Sequence, residues 1–175
     1  MSKKKYLCGI LGYPLKKPRS IKIWKSYFRI KNINSSMKKF EIPPKKINSF
    51  INYIKQNNNF LAMAVTMPYK KKMFNHIDKL DDFSMRAKSL NLILKRNNFF
   101  YGYNTDIYGA IYCLKPFIKK FKEIIIVGMG GTGQAIYNFL SFTFKEKKFH
   151  LISSKFQTKK KNVKVYRKLI PNLLK

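Results

Sequence analysis

The run Ile124-Ile125-Ile126-Val127 passes directly into Gly128-Met129-Gly130-Gly131-Thr132-Gly133, and no other segment restricts the fold as tightly. Four consecutive apolar residues read as a fully apolar strand. Gly128, Gly130 and Gly133 occupy the three glycine places of the dinucleotide fingerprint, with a helix expected from there to about Phe142. The bare backbone lets N–H groups close on a pyrophosphate at the helix N-terminus. A tight βα turn without ligand is the plainer reading of the same glycines. Phe149 to Ile152 reads as the next strand, so the segment is β-loop-α-β, the opening of a doubly wound nucleotide fold. Only a lysine-rich linker and roughly 15 residues follow. Two parallel strands do not bury a sheet on both faces, so this lobe is expected to be an abbreviated Rossmann-like domain over residues 107–175.

Upstream, strand-like and helix-like stretches alternate. Tyr6 to Leu11 is a short apolar run broken at Gly12 and Pro14, which reads as a buried strand and a turn. Ser20 opens an amphipathic stretch to about Ile30 and is expected to be its N-cap. After Pro43-Pro44, the residues Ile47, Phe50, Ile51 and Ile54 share one helical face. Phe60 to Val65 reads as a strand ending before Pro68, and Leu92–Leu94 with Phe99–Tyr103 as a hairpin about Asn97-Asn98. A helix is expected from about Ile107 to Lys120. The fold class is therefore α/β, with an α/β domain over residues 1–106 ahead of the glycine loop.

The formal net charge of +31 suggests nucleic-acid binding first. Its origin argues otherwise. The chain has 33 Lys and only 5 Arg, and Lys, Asn, Ile, Phe and Tyr supply 94 of 175 residues. All five are encoded by A/T-rich codons, the composition of a reduced, A/T-rich genome. Base and phosphate recognition favours the planar fork of Arg, which Lys lacks. No specific nucleic-acid partner is expected, although the charge favours anionic small-molecule ligands. Cys8 and Cys113 lie in apolar surroundings and are expected to be buried free thiols of a reduced compartment. There is no zinc spacing, and His76 and His150 have no partner pattern. The apolar run after Lys3-Lys4-Lys5 is too short for a signal-peptide core or a membrane span, so a cytoplasmic protein without a membrane partner is expected.

Two further segments carry chemistry. Val65-Thr66-Met67-Pro68-Tyr69-Lys70 places a lysine after a proline turn, and Gly102-Tyr103-Asn104-Thr105-Asp106 places an aspartate at the start of a helix. In so lysine-rich a chain, a solvated side chain is the plainer reading of Lys70. Asp106 reads equally as a helix N-cap, with Asn104 and Thr105 as turn formers. It is nevertheless one of only seven acidic residues.

In this order the segments resemble the shikimate dehydrogenase family (quinate/shikimate dehydrogenases). Gly12-Tyr13-Pro14-Leu15 with Ser20 resembles its N-terminal substrate loop. Residues 65–70 resemble its Asn-Val-Thr-x-Pro-(aromatic)-Lys motif, and Asn91 fits the Asn of its Ala-Val-Asn-Thr stretch. Residues 102–106 match its Gly-x-Asn-Thr-Asp motif outright, and residues 128–132 resemble its Gly-Ala-Gly-Gly-Ala loop. The tail from Val165 to Leu174 is similar to its Val-Tyr-x-Pro-x-x-Thr-x-Leu-Leu segment without the proline and threonine.

The resemblance implies reversible NADP-linked reduction of 3-dehydroshikimate to shikimate, in chorismate and aromatic amino-acid biosynthesis. By it, Lys70 is the catalytic acid/base and Asp106 holds Lys70 and a substrate hydroxyl. Ser20 meets the substrate carboxylate, Thr66 and Asn91 meet the ring hydroxyls, and Tyr166 lies nearby. The cofactor contacts are Gly128, Met129, Gly130, Gly131, Thr132 and Gly133, with Lys155 toward the 2′-phosphate.

The chain departs from the family pattern in several places. Pro18 replaces the first serine of a Ser-x-Ser pair, Lys17 a histidine, and Ala64 an asparagine. Ser153-Ser154-Lys155 replaces Asn-Arg-Thr, which removes the arginine on the NADP 2′-phosphate and leaves NAD as an alternative. The family's Asn-Ala-Thr-Pro-x-Gly-Met stretch has no counterpart between Phe156 and Val163, nor has its C-terminal glutamine-bearing helix. Three functions stay open at this point: an abbreviated dehydrogenase, a non-catalytic remnant binding shikimate-like anions, and a basic RNA-associated protein. The short sheet leaves room for self-association or for a partner chain that completes it.

Overall fold

A computed structural model describes residues 5–154, 156–158 and 161–168. The chain divides into two compact units, one formed by residues 1–84 with 89–104 and the other by residues 85–88 with 105–175.

In the first unit the elements run β1 (Tyr6–Gly12), α1 (Ser20–Ile30), β2 (Ser35–Glu41), α2 (Ile47–Gln56), β3 (Phe60–Val65) and the single-turn α3 (Tyr69–Lys72). There follow β4 (Lys79–Leu80), α4 (Asp82–Ala87), whose last turn belongs to the second unit, then β5 (Leu92–Arg96) and β6 (Phe99–Tyr103). The six strands form one mixed sheet ordered β2-β1-β3-β5-β6-β4. β1 is parallel to both β2 and β3, while β3, β5 and β6 are successively antiparallel.

The apolar run of β1 is buried on both faces. Leu7 and Leu11 point into one cluster with Phe50, Ile51 and Ile54 of α2. Cys8 and Ile10 point into the other, against Ile21 and Phe28 of α1. A central strand covered on both sides has no use for alternation, which is why this run reads as continuous apolar residues. α2 buries the face that its spacing predicts. The hairpin turns at Asn97 and Asn98, both at positive φ (48° and 64°), which the mirror-image two-residue turn requires and Asn tolerates.

Several expectations need correction. Ser20 does not cap α1; it is the first helical residue, preceded by a helical Arg19, and no side chain caps that end. Cys8 is buried but Cys113 is exposed. β2 is not anticipated by the sequence, because only Met37 and Phe40 of its residues are buried. It is an edge strand recruited by β1 rather than by its own pattern.

The second unit holds α5 (Thr105–Ile118), β7 (Glu123–Val127), α6 (Gly131–Thr143), β8 (Lys148–Ile152) and β9 (Val163–Tyr166). α5 starts at Thr105, so Asp106 lies in its first turn and is not its cap. The three strands are parallel in the order β7-β8-β9, one more than the sequence suggests. β9 is short and half-buried and sits among lysines, so its period is masked. One sheet face packs under α6, where Tyr137 meets Phe149 edge-on at 5.6 Å between ring centroids. Residues 85–88 join this unit because Arg86 donates to Thr143 Oγ1 (3.2 Å) and Asn138 donates to the Ala87 carbonyl (3.2 Å). Among the described residues, no helix is long and apolar enough to cross a membrane.

Candidate functional site

In α/β sheets, ligands meet the carboxyl ends of the strands. In the first unit those of β1 and β3 lie side by side. The Thr66 N–H donates to the Leu11 carbonyl (2.9 Å), and the Tyr13 N–H donates to the Met67 carbonyl (3.0 Å). The loop at residues 12–15 is therefore tied to the loop at residues 66–70. The second loop is tied in turn to the segment before β5: Val65 N–H donates to the Asn91 carbonyl (2.7 Å) and Leu90 N–H to the Lys70 carbonyl (2.9 Å). Asn91 N–H donates to the Tyr103 carbonyl (2.9 Å), which brings in the end of β6. The backbones of Thr66, Lys70, Asn91 and Tyr103 thus form one hydrogen-bonded cluster, and the side chains of Thr66, Lys70 and Asn91 are half-buried.

Two supports of this cluster are not visible in the sequence. Tyr69 is fully buried and its hydroxyl donates to the Ile42 carbonyl, so the residue before Lys70 is pinned. Burial is the main force that pushes its hydroxyl pKa up, and the neighbouring Tyr13 adds to it. Glu41, at the end of β2, accepts the Leu15 N–H at 2.7 Å. The hydrogen bond from Lys39 and then the one from Leu15 hold its carboxyl below the ordinary range, against a smaller burial penalty. Ser20 is half-buried at the start of α1, next to Ile21, which packs on the same cluster as Leu15.

Asn104 is buried, and its amide donates to the Ser89 carbonyl (2.9 Å) and hydroxyl (3.1 Å). Sequence reading treats Asn104 as a turn former; its buried amide instead fixes the chain just where the first unit ends. Asp106 follows in the second unit, half-buried in the first turn of α5.

The glycine loop of the second unit passes a steric test for a dinucleotide. Gly128 has φ +88°, a conformation that side chains rarely adopt. A Cβ on Gly133 would run into the Gly128 carbonyl, so helix and strand can approach only without one. Gly130 and Gly131 face open space. Gly130 is the extended N-cap of α6 and no side chain caps that end, with Met129 and Thr132 flanking it. These are the three roles of the fingerprint glycines: tight turn, close ligand approach and helix–strand packing. Lys155, the residue expected toward the 2′-phosphate, lies outside the described residues.

Tyr166 ends β9 in the second unit, and its hydroxyl meets His150 Nδ1 at 3.1 Å with the rings stacked. His150 Nε2 meets Glu123 at 2.8 Å, and this bond is the main cause of the lowered pKa of the Glu123 carboxyl. His150 therefore has partners on both flanking strands, which no sequence spacing announces. Among the described residues no group of three or more His, Cys, Asp or Glu could hold a metal.

Residues 10–93 match the shikimate dehydrogenase substrate binding domain. The shikimate dehydrogenase (NADP(+)) of Leptospira interrogans serogroup Icterohaemorrhagiae serovar Lai (strain 56601) is 34% identical over 134 residues, covering 73% of this chain and 44% of that protein. Residues 10–93 thus carry the substrate binding domain of shikimate dehydrogenases. Another shikimate dehydrogenase (NADP(+)), from Thermococcus kodakarensis (strain ATCC BAA-918 / JCM 12380 / KOD1), is 32% identical, covering 74% of this chain and 48% of its own length. The crystal structure of shikimate dehydrogenase from Aquifex aeolicus superposes with a TM-score of 0.73 at 27% identity, covering 89% of this chain and 59% of that one. The chain thus spans about half the length of the curated relatives it matches.

Proposed function

We propose that this protein interconverts 3-dehydroshikimate and shikimate with NADP(H), the first unit binding the substrate and the second the cofactor. The observation that carries the reading is the hydrogen-bonded cluster at the ends of β1, β3 and β6, which holds Thr66, Lys70 and Asn91 on one framework. Thr66 and Asn91 offer polar groups to ring hydroxyls, and Ser20 offers a hydroxyl to the carboxylate. Lys70 is the acid/base: its ammonium gives a proton to the carbonyl oxygen during reduction and takes it back in the reverse direction. Asp106 stands as the second proposed catalytic residue on its match to the Gly-x-Asn-Thr-Asp motif.

The glycine loop seats the pyrophosphate on the N–H groups that open α6, and the bound nicotinamide supplies or accepts hydride. The relatives' designation as NADP(+) enzymes and the steric fit of Gly128 and Gly133 support that cofactor. The strongly positive chain favours both anionic ligands. A membrane has no part in the reaction, and the protein acts in the cytoplasm, where its two free cysteines stay reduced.

Purified protein incubated with shikimate and NADP⁺ or NAD⁺ tests the proposal through absorbance of the reduced nicotinamide. Turnover with NADP⁺ is expected. Absence of turnover with either cofactor, alongside measurable shikimate binding, would overturn it in favour of a non-catalytic shikimate binder.

A further inference from the structure

We infer that Arg167 recognises the 2′-phosphate on the adenosine ribose of the cofactor and so selects NADP over NAD. The inference rests on the cofactor reading above and adds the residue that decides between the two dinucleotides.

The order β9-β8-β7 is the 3-2-1 half of a doubly wound sheet, with β7 carrying the glycine loop. In that arrangement the adenosine ribose lies outside the carboxyl end of the second strand. An acidic side chain there takes the 2′-hydroxyl of NAD, and an arginine there accommodates the 2′-phosphate of NADP. Here the second strand, β8, ends at Ile152 and is followed by Ser153 and Ser154. Residues 153–158 and 163–168 contain no carboxylate. The acids of this sheet, Glu123 and Glu146, stand at or before the opposite, amino ends of β7 and β8. Among the described residues, the segments that follow β8 and β9 therefore hold no carboxylate to bind the 2′-hydroxyl of NAD and repel a phosphate.

Arg167 is brought to that end by the third strand. The Gly128 N–H donates to the Ile152 carbonyl and the Ser153 N–H to the Tyr166 carbonyl, both at 2.9 Å, so the ends of all three strands are level. Arg167 is the next residue, and its guanidinium donates to the Ser154 carbonyl, reaching from the end of β9 to the loop after β8. A guanidinium carries five N–H donors, so one bond to a carbonyl positions the fork and leaves donors for a phosphate. The side chain is exposed. The residue type matters in this chain: with 33 lysines, positive charge alone cannot discriminate, but bidentate geometry can, and there are only five arginines.

Calorimetric titration of the full chain with 2′,5′-ADP and with ADP, at about 0.15 M salt to suppress non-specific attraction, tests this directly and without turnover. Wild type is expected to bind 2′,5′-ADP about tenfold or more tightly than ADP, the size of a charge-assisted contact. Arg167→Gln is expected to lose that advantage with ADP affinity unchanged, and Arg167→Lys to keep part of it. Circular dichroism of each variant checks that the fold persists. An unchanged preference in Arg167→Gln, or an equal loss for both nucleotides, overturns the assignment and leaves the cofactor reading standing. Failure of wild type to bind either nucleotide overturns both.

Discussion

The carbonyl oxygen of Gly128 stands where a Cβ on Gly133 would be placed. This single contact joins the end of β7 to the first turn of α6 and sets how closely helix and strand approach. Gly133→Ala must push the two apart. We expect it to cost about 1–3 kcal/mol, the usual penalty for overpacking, and to abolish ADP binding. Thermal unfolding and nucleotide titration check both effects. A variant with wild-type ADP affinity would show that the loop does not seat a pyrophosphate.

Lys70→Ala should lower kcat by roughly 10²–10⁴-fold, the span usual for a positioned acid/base, while shikimate still binds. Steady-state rates in both directions and a binding titration measure the split. Asp106→Asn should fall in the same range. Turnover that survives both substitutions would show that the chemistry lies elsewhere.

Lys95 is a buried ammonium at the end of α2. It donates to the Lys55 carbonyl at 2.5 Å, which the helix end leaves open, and to the Asn57 carbonyl at 3.1 Å, which also accepts the Phe60 N–H, and it opposes the negative end of the helix dipole. Lys95→Met keeps much of the volume but removes the side-chain donor from the Lys55 carbonyl, while the Asn57 carbonyl keeps the Phe60 N–H. A loss of about 1–3 kcal/mol in denaturant unfolding is expected, with little change in activity.

The lowered pKa of Glu41 has a definite pH consequence. A carboxyl held below its unfolded value of about 4.5 contributes stability above that pH and loses it as pH falls through the folded value. Acidification below about 4.5 should therefore release the Leu15 N–H and loosen the loop at residues 12–15. Glu41→Gln should flatten this part of the stability–pH curve, whereas Asp82→Asn, at an exposed position on α4, should leave it in place.

Local elements were legible where a single physical rule governs them. The spacing of Ile47, Phe50, Ile51 and Ile54 marks a helix face, and Asn97-Asn98 marks a turn needing positive φ. The strand before the glycine loop needs only its own apolar run. The edge strand β2 and the third strand β9 escaped because each is defined by a neighbour's unpaired backbone. Ser20 and Asp106 were misplaced as caps by one or two residues, since a good capping side chain does not oblige the helix to start there.

The sequence by itself determined the alternation of strands and helices and the glycine loop, because propensity, periodicity and backbone sterics act over a few residues, whereas Lys70 and Asp106 became candidates through the family resemblance. Only the tertiary structure decided which distant groups meet. Glu41 on Leu15, Tyr69 on Ile42, His150 between Glu123 and Tyr166, and Arg167 on Ser154 all arise from strand order and register. Register is a property of paired backbones, so no residue type or spacing along one chain segment announces it.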